Sequence, residues 1–108
     1  MSEPYVFLPD LAAPVDLPPN GILSRTVYTD EKSKVILFHF SPGQELSAHT
    51  APFPATIYLV RGEAKLKLGA DEMDASAGAF AYMTPNLEHG IKAQTEVVML
   101  LTMLKAAR

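Results

Sequence analysis

The stretch GQELSAHTAPFPATIYLVRG, residues 43–62, decides how this chain is read. Glycines bracket it, and between them lie two runs suited to extended backbone, Glu45 to His49 and Ala55 to Arg61. The link between the runs holds Pro52 and Pro54, which restrict the backbone and disfavour a helix. Two strands joined by a stiff rim segment are expected, with His49 closing the first.

The pattern continues outward in both directions. Further candidate strands are Tyr5 to Leu8, Ile22 to Thr29, Lys34 to Phe40, Ala64 to Leu68, Glu72 to Ala75, Ala79 to Met83, His89 to Ala93 and Glu96 to Lys105. Turn formers separate them, among them Pro19-Asn20-Gly21, Ser41-Pro42-Gly43, Gly69-Ala70-Asp71 and Pro85-Asn86. No segment sustains the apolar spacing of an amphipathic helix. Many short strands at regular intervals predict an all-β antiparallel sandwich or barrel with little or no helix.

Ala64-Lys65-Leu66-Lys67-Leu68 alternates, with both lysines on one face, as in a half-exposed strand. Val97 to Leu104 and Val35 to Phe38 are instead apolar on both faces. A lone small barrel has one inside, so the second apolar face needs a cover, and a homodimer interface supplies it. Residues 1–20 read as an extended N-terminal arm and residues 21–108 as a single barrel domain.

Composition narrows the function classes. A chain of 108 residues with 48% apolar content builds one globular core. Having no cysteine, it has no disulfide framework, thiolate metal site or thiol nucleophile. A net charge of −3 with scattered lysines and arginines gives no footprint for nucleic acid or an anionic membrane. The first twenty residues lack a basic start and are interrupted by Pro9, Asp10, Pro14 and Asp16, unlike a secretory signal, and the apolar runs fall far short of the ~18 residues of a membrane span. A cytoplasmic location is the expectation. Nucleophile elbows, phosphate loops and dinucleotide fingerprints are absent from the sequence.

Residues 43–62 resemble the first motif of the cupin superfamily: Gly, five residues, His-x-His, three or four residues, Glu, six residues, Gly. Gly43, His49 and Gly62 fall on the pattern, while Ala51 stands at the second histidine position and Ala55 at the glutamate position. Gly78 to Ala93 is similar to the second motif: Gly, five residues, Pro-x-Gly, two residues, His, three residues, Asn. Gly78 and His89 match, Thr84 stands at the proline position, Asn86 at the second glycine and Ala93 at the final Asn. Asn is, after Gly, the residue that most readily takes the left-handed conformation such a turn needs. The resemblance runs over about residues 35 to 104 and implies a double-stranded β-helix, or jelly-roll, barrel. It also implies a homodimer with a ligand or metal pocket inside the barrel.

Metal-binding cupins usually present three histidines and a glutamate inside the barrel, and the resemblance carries over two of these positions, His49 and His89. Imidazoles with a carboxylate suit one divalent zinc, iron, manganese, nickel or copper ion. Strict alternation along Glu45-Leu46-Ser47-Ala48-His49 would put Glu45 on the face of His49, which makes Glu45 the candidate third ligand. His39 lies in a strand and faces either way. Ala51 and Ala55 in place of larger groups would leave a roomier, more apolar pocket suited to a small organic ligand. Ile57 shares the face of Ala55, Phe80 and Tyr82 share a face on the strand that leads into the second motif, and Ile91 follows His89. All four are expected to line the pocket, with the Tyr82 hydroxyl as a donor or acid. The functional expectation is a cupin that binds a small organic ligand inside the barrel, with a weakly held divalent ion as an optional addition. The alternative is a metal-dependent oxygenase, isomerase or lyase acting on a small molecule.

Overall fold

A computed structural model describes residues 4–105 of the chain. Nine strands follow one another: β1 (Ile22–Thr29), β2 (Ser33–Phe40), β3 (Glu45–His49), β4 (Ala55–Arg61), β5 (Glu63–Leu68), β6 (Asp71–Ser76), β7 (Phe80–Met83), β8 (His89–Ala93) and β9 (Val97–Leu104). They match the sequence expectation within a residue or so. Among the described residues no helix forms, so none is long and apolar enough to cross a membrane. Tyr5 to Leu8, expected as a strand, pairs with none. It lies over the face of a sheet, against Val27, Tyr28, Val35 and Leu100, and so meets side chains rather than an edge.

The strands form two antiparallel sheets, one ordered β1-β2-β9-β4-β7 and the other β3-β8-β5-β6. Chain neighbours repeatedly cross between the sheets, which is the wiring of a jelly roll. The two inner faces enclose the core. From the five-stranded sheet come Phe40, Ala55, Ile57, Leu59, Met83, Val97 and Met99, and from the four-stranded sheet Ala64, Leu66, Ala75, Ile91 and Ala93. Alternation explains the choice: Ala64 and Leu66 are buried while Lys65 between them is exposed and pairs with Asp74 at 2.6 Å.

Two turn positions show why the motif residues stand where they do. Gly62, between β4 and β5, has φ 93°, and a Cβ there would lie 2.1 Å from the Glu96 carbonyl oxygen, so only glycine fits. Asn86 has φ 68° and donates its backbone N–H to the Ala51 carbonyl at 2.7 Å. The left-handed turn expected of Asn86 therefore forms, and it ties the β7–β8 turn to the rim segment after His49.

Candidate functional site

β3 is the edge strand of the four-stranded sheet and pairs with β8. The ladder runs regularly from Glu45 opposite Lys92 to Leu46 opposite Ile91, then shifts so that His49 lies opposite His89. In unbroken register His89 would face Ala48, so β3 carries one extra residue there, a β-bulge. The bulge puts Leu46 and His49, three apart, on the inner side, and leaves Glu45 on the outer one. Gly90 gives it room: a Cβ at Gly90 would lie 3.0 Å from the Ala48 nitrogen and 3.0 Å from the Leu46 oxygen.

The two imidazoles meet at the end of the barrel, with ring centroids 4.5 Å apart and planes tilted by 55°. Each ring is anchored to its own strand. His49 Nδ1 is 2.8 Å from the Ser47 carbonyl oxygen, and His89 Nδ1 is 2.9 Å from that of Leu87. A carbonyl oxygen only accepts, so both Nδ1 atoms carry the proton and donate. In the neutral rings each Nε2 then keeps its lone pair, and the pair presents two acceptors. Leu68 stands opposite His89 on β5, and Leu46 and Ile91 continue the inner face below. The result is two fixed nitrogen acceptors over an apolar floor.

The other residues singled out from the sequence divide between two faces. Ala55, Ile57 and Ile91 are buried and point inward, and Ala51 is half-buried at the rim. Deeper in, the space is filled rather than roomy: Phe40, Leu59, Met83 and Val97 are the largest fully buried side chains. Met83 and Met103 stand opposite Ala55 on the two neighbouring strands. Methionines on adjacent strands thus take up the width that alanine gives away.

Three expectations are corrected. Glu45 pairs with Lys92 and lines a shallow outer depression with Lys65, Lys67 and Glu72, on the face opposite His49. The bulge defeats the strict alternation on which its candidacy rested. Phe80 and Tyr82 are 66% and 56% exposed and point outward, because their strand turns Ala81 and Met83 into the core. They sit beside Tyr58 and Thr56 on the outer face of the five-stranded sheet and do not line the mouth. The glycine facing the bulge was the available signal for Glu45, since a glycine within a strand marks a bulge or close backbone approach.

His39 falls on the outer face of β2, opposite Leu23 and Val98, beneath arm residues Ala13, Pro14 and Val15. Its Nε2 is buried without a hydrogen-bond partner. Burial pushes its pKa below the usual histidine range, and the nearby Arg25 charge adds to the effect. It is remote from the histidine pair.

Catalytic zinc sites generally take three protein ligands and leave one position open. Among the described residues no group of three or more His, Asp or Glu side chains converges. The two imidazoles therefore fall short of a resident metal cofactor's donor set.

The cupin domain family model matches residues 36–104. The chain belongs to the cupin family. Solved structures agree with this cupin's fold. An RmlC-like cupin from Desulfovibrio desulfuricans superposes with a TM-score of 0.83 at 24% identity, over 94% of this chain and 98% of that one. An RmlC-like cupin from Shewanella frigidimarina gives 0.80 at 19% identity over 99% and 95%. A cupin superfamily protein from Desulfitobacterium hafniense gives 0.79 at 19% identity, over 83% of each chain. A comparison with curated proteins finds no match. At these identities the likeness shows the fold, and function rests on the site.

Proposed function

We propose that this cupin binds a small, largely apolar organic molecule at the barrel mouth, through hydrogen bonds from the ligand's hydroxyl or amide groups to His49 Nε2 and His89 Nε2. The observation that carries this reading is the backbone anchoring of both Nδ1 atoms, at 2.8 and 2.9 Å. It fixes ring orientation and tautomer before any ligand arrives, so little ordering is left to oppose binding. Leu46, Leu68 and Ile91 supply the apolar contact below. The filled interior keeps the ligand at the mouth rather than at the centre of the barrel.

A divalent ion on the same two nitrogens is the second reading, favoured by the same tautomers, because metal-bound histidines ordinarily donate their other ring N–H to a backbone or carboxylate oxygen. With two protein donors it is held weakly. A catalytic version needs a proton mover at the mouth, and Tyr82, whose hydroxyl the sequence suggested as an acid, faces elsewhere.

The test is NMR titration of a panel of small phenols and diols against the wild-type protein, His49→Ala and His89→Ala. Binding should perturb both imidazoles. Each variant should weaken it by about 3- to 10-fold, the worth of one hydrogen bond. Equal affinity in all three proteins would overturn the reading, and tightening only when zinc is added would favour the metal.

A further inference from the structure

Two buried apolar side chains stand outside the barrel core. Leu37 and Val98 are 3% and 2% exposed, yet neither belongs to the buried cluster between the sheets. Both lie on the outer face of the five-stranded sheet, beneath the arm. Leu37 shares a hollow of about 460 Å³ with Leu11, Pro14 and Val15, and Val98 shares one of about 260 Å³ with Ala12, Val15 and Leu17. The arm thus closes a small second core. Its root is fixed: the Ser41 hydroxyl donates to the Pro18 carbonyl at 2.8 Å, and the Ser41 N–H to that of Gly21 at 2.9 Å.

His39 lies between the two hollows and lines both, in one row across the sheet with Leu23, Val98 and Arg61. Its Nε2 is the one buried side-chain nitrogen or oxygen without a hydrogen-bond partner among the described residues. Buried polar atoms ordinarily have one. Here the covering arm shuts out the water that would supply it, and burial of Leu37 and Val98 offsets the cost.

Charged groups surround the ring. Arg25 on β1 and Arg61 on β4 are the cations, Glu96 ahead of β9 and Asp10 on the arm the anions. Neither arginine forms an ion pair among the described residues. Asp10 turns its Oδ1 onto the Ala12 backbone N–H at 3.0 Å. Loss of water opposes a charged ring most and Arg25 adds to it, while the Ala13 carbonyl and Glu96 offset only part.

We infer that the arm is a strap that closes over His39 while the ring is neutral, and that mild acid releases it by protonating the ring, uncovering Leu37 and Val98. With the strap open, the ring regains its ordinary pKa of about 6.5. With the strap closed, the pKa lies lower, so the open form binds more protons. Closure is therefore fully favoured above about pH 7 and weakens as pH falls from about 6.5 toward the docked ring's lower value, the open-to-closed ratio rising up to about tenfold per pH unit. The barrel stays folded, because its own core does not include these residues.

Methyl NMR between pH 7.5 and pH 5 tests this. Nuclear Overhauser contacts from Leu37 and Val98 to Leu11 and Val15 should be strong at pH 7.5 and fade below about pH 6.5, while the Leu59 and Met83 methyl signals stay unchanged. His39→Leu should keep the contacts down to pH 5. Arg25→Gln should shrink the release, since it removes one cause of the ring's lowered pKa. Wild-type contacts that persist at pH 5, or a release that survives in His39→Leu, overturn the proposal. Core signals that change together with the strap contacts would mean global unfolding and equally contradict it.

Discussion

Asp30, in the turn between β1 and β2, shows how much one side chain organises. Its Oδ1 accepts the backbone N–H groups of Lys32 and Ser33, each at 2.8 Å, and its Oδ2 accepts the Tyr28 hydroxyl at 2.8 Å. These bonds, the tyrosine's first, lower its pKa from 3.8 to about 2. A carboxylate whose folded pKa lies below its unfolded value stabilises the fold fully above about pH 4 and loses that contribution as pH falls toward 2. Asp30→Asn should therefore melt below wild type at pH 6, and the gap should close near pH 2. Thermal melts across that range check it, and a gap unchanged at pH 2 would contradict the assignment. At this scale much was legible in the sequence. His49, His89, Gly62 and Asn86 occupy the places their motif spacing suggested, because spacing along the chain fixes turns directly. The anchoring of each Nδ1 was not legible, since it depends on how each ring turns back on its own strand.

The strands themselves were readable almost to the residue, because turn formers interrupt the apolar runs at regular intervals. What failed was facing. Period-two alternation holds on β5, but one extra residue in β3 reverses the prediction for Glu45. On β7 the smaller Ala81 and the flexible Met83 go inside while the aromatics go out, contrary to the expectation that bulk seeks the core. Bulk on that strand serves an outer surface. Because the bulge rests on the bare Cα of Gly90, Gly90→Ala should push the Ala48 segment away. That should lower stability by about 1 to 2 kcal/mol, in the range of overpacking, and move the His49 ring off His89. Urea unfolding reads the first effect and imidazole NMR shifts the second. A variant as stable as wild type with unchanged shifts would show that the bulge does not depend on this glycine.

The whole molecule is one barrel with three distinct regions: a charged outer sheet, an apolar outer sheet half-covered by the arm, and a mouth carrying paired histidines. The doubly apolar strands β2 and β9 announced in the sequence that a second face would need covering. Leu100, not Met99, turns out to lie on that face, since Met99 is buried in the core. The depth of the pocket was not legible, because the sequence shows where Ala51 and Ala55 remove bulk but not that Met83 and Met103 refill it. Above all, the fold presets the mouth as two Nε2 acceptors. Long-range proton–nitrogen correlation NMR of the imidazole rings in ligand-free protein at mildly alkaline pH tests it most directly. Both His49 and His89 should show the Nδ1–H tautomer, and an Nε2–H tautomer at either ring would contradict the preset mouth.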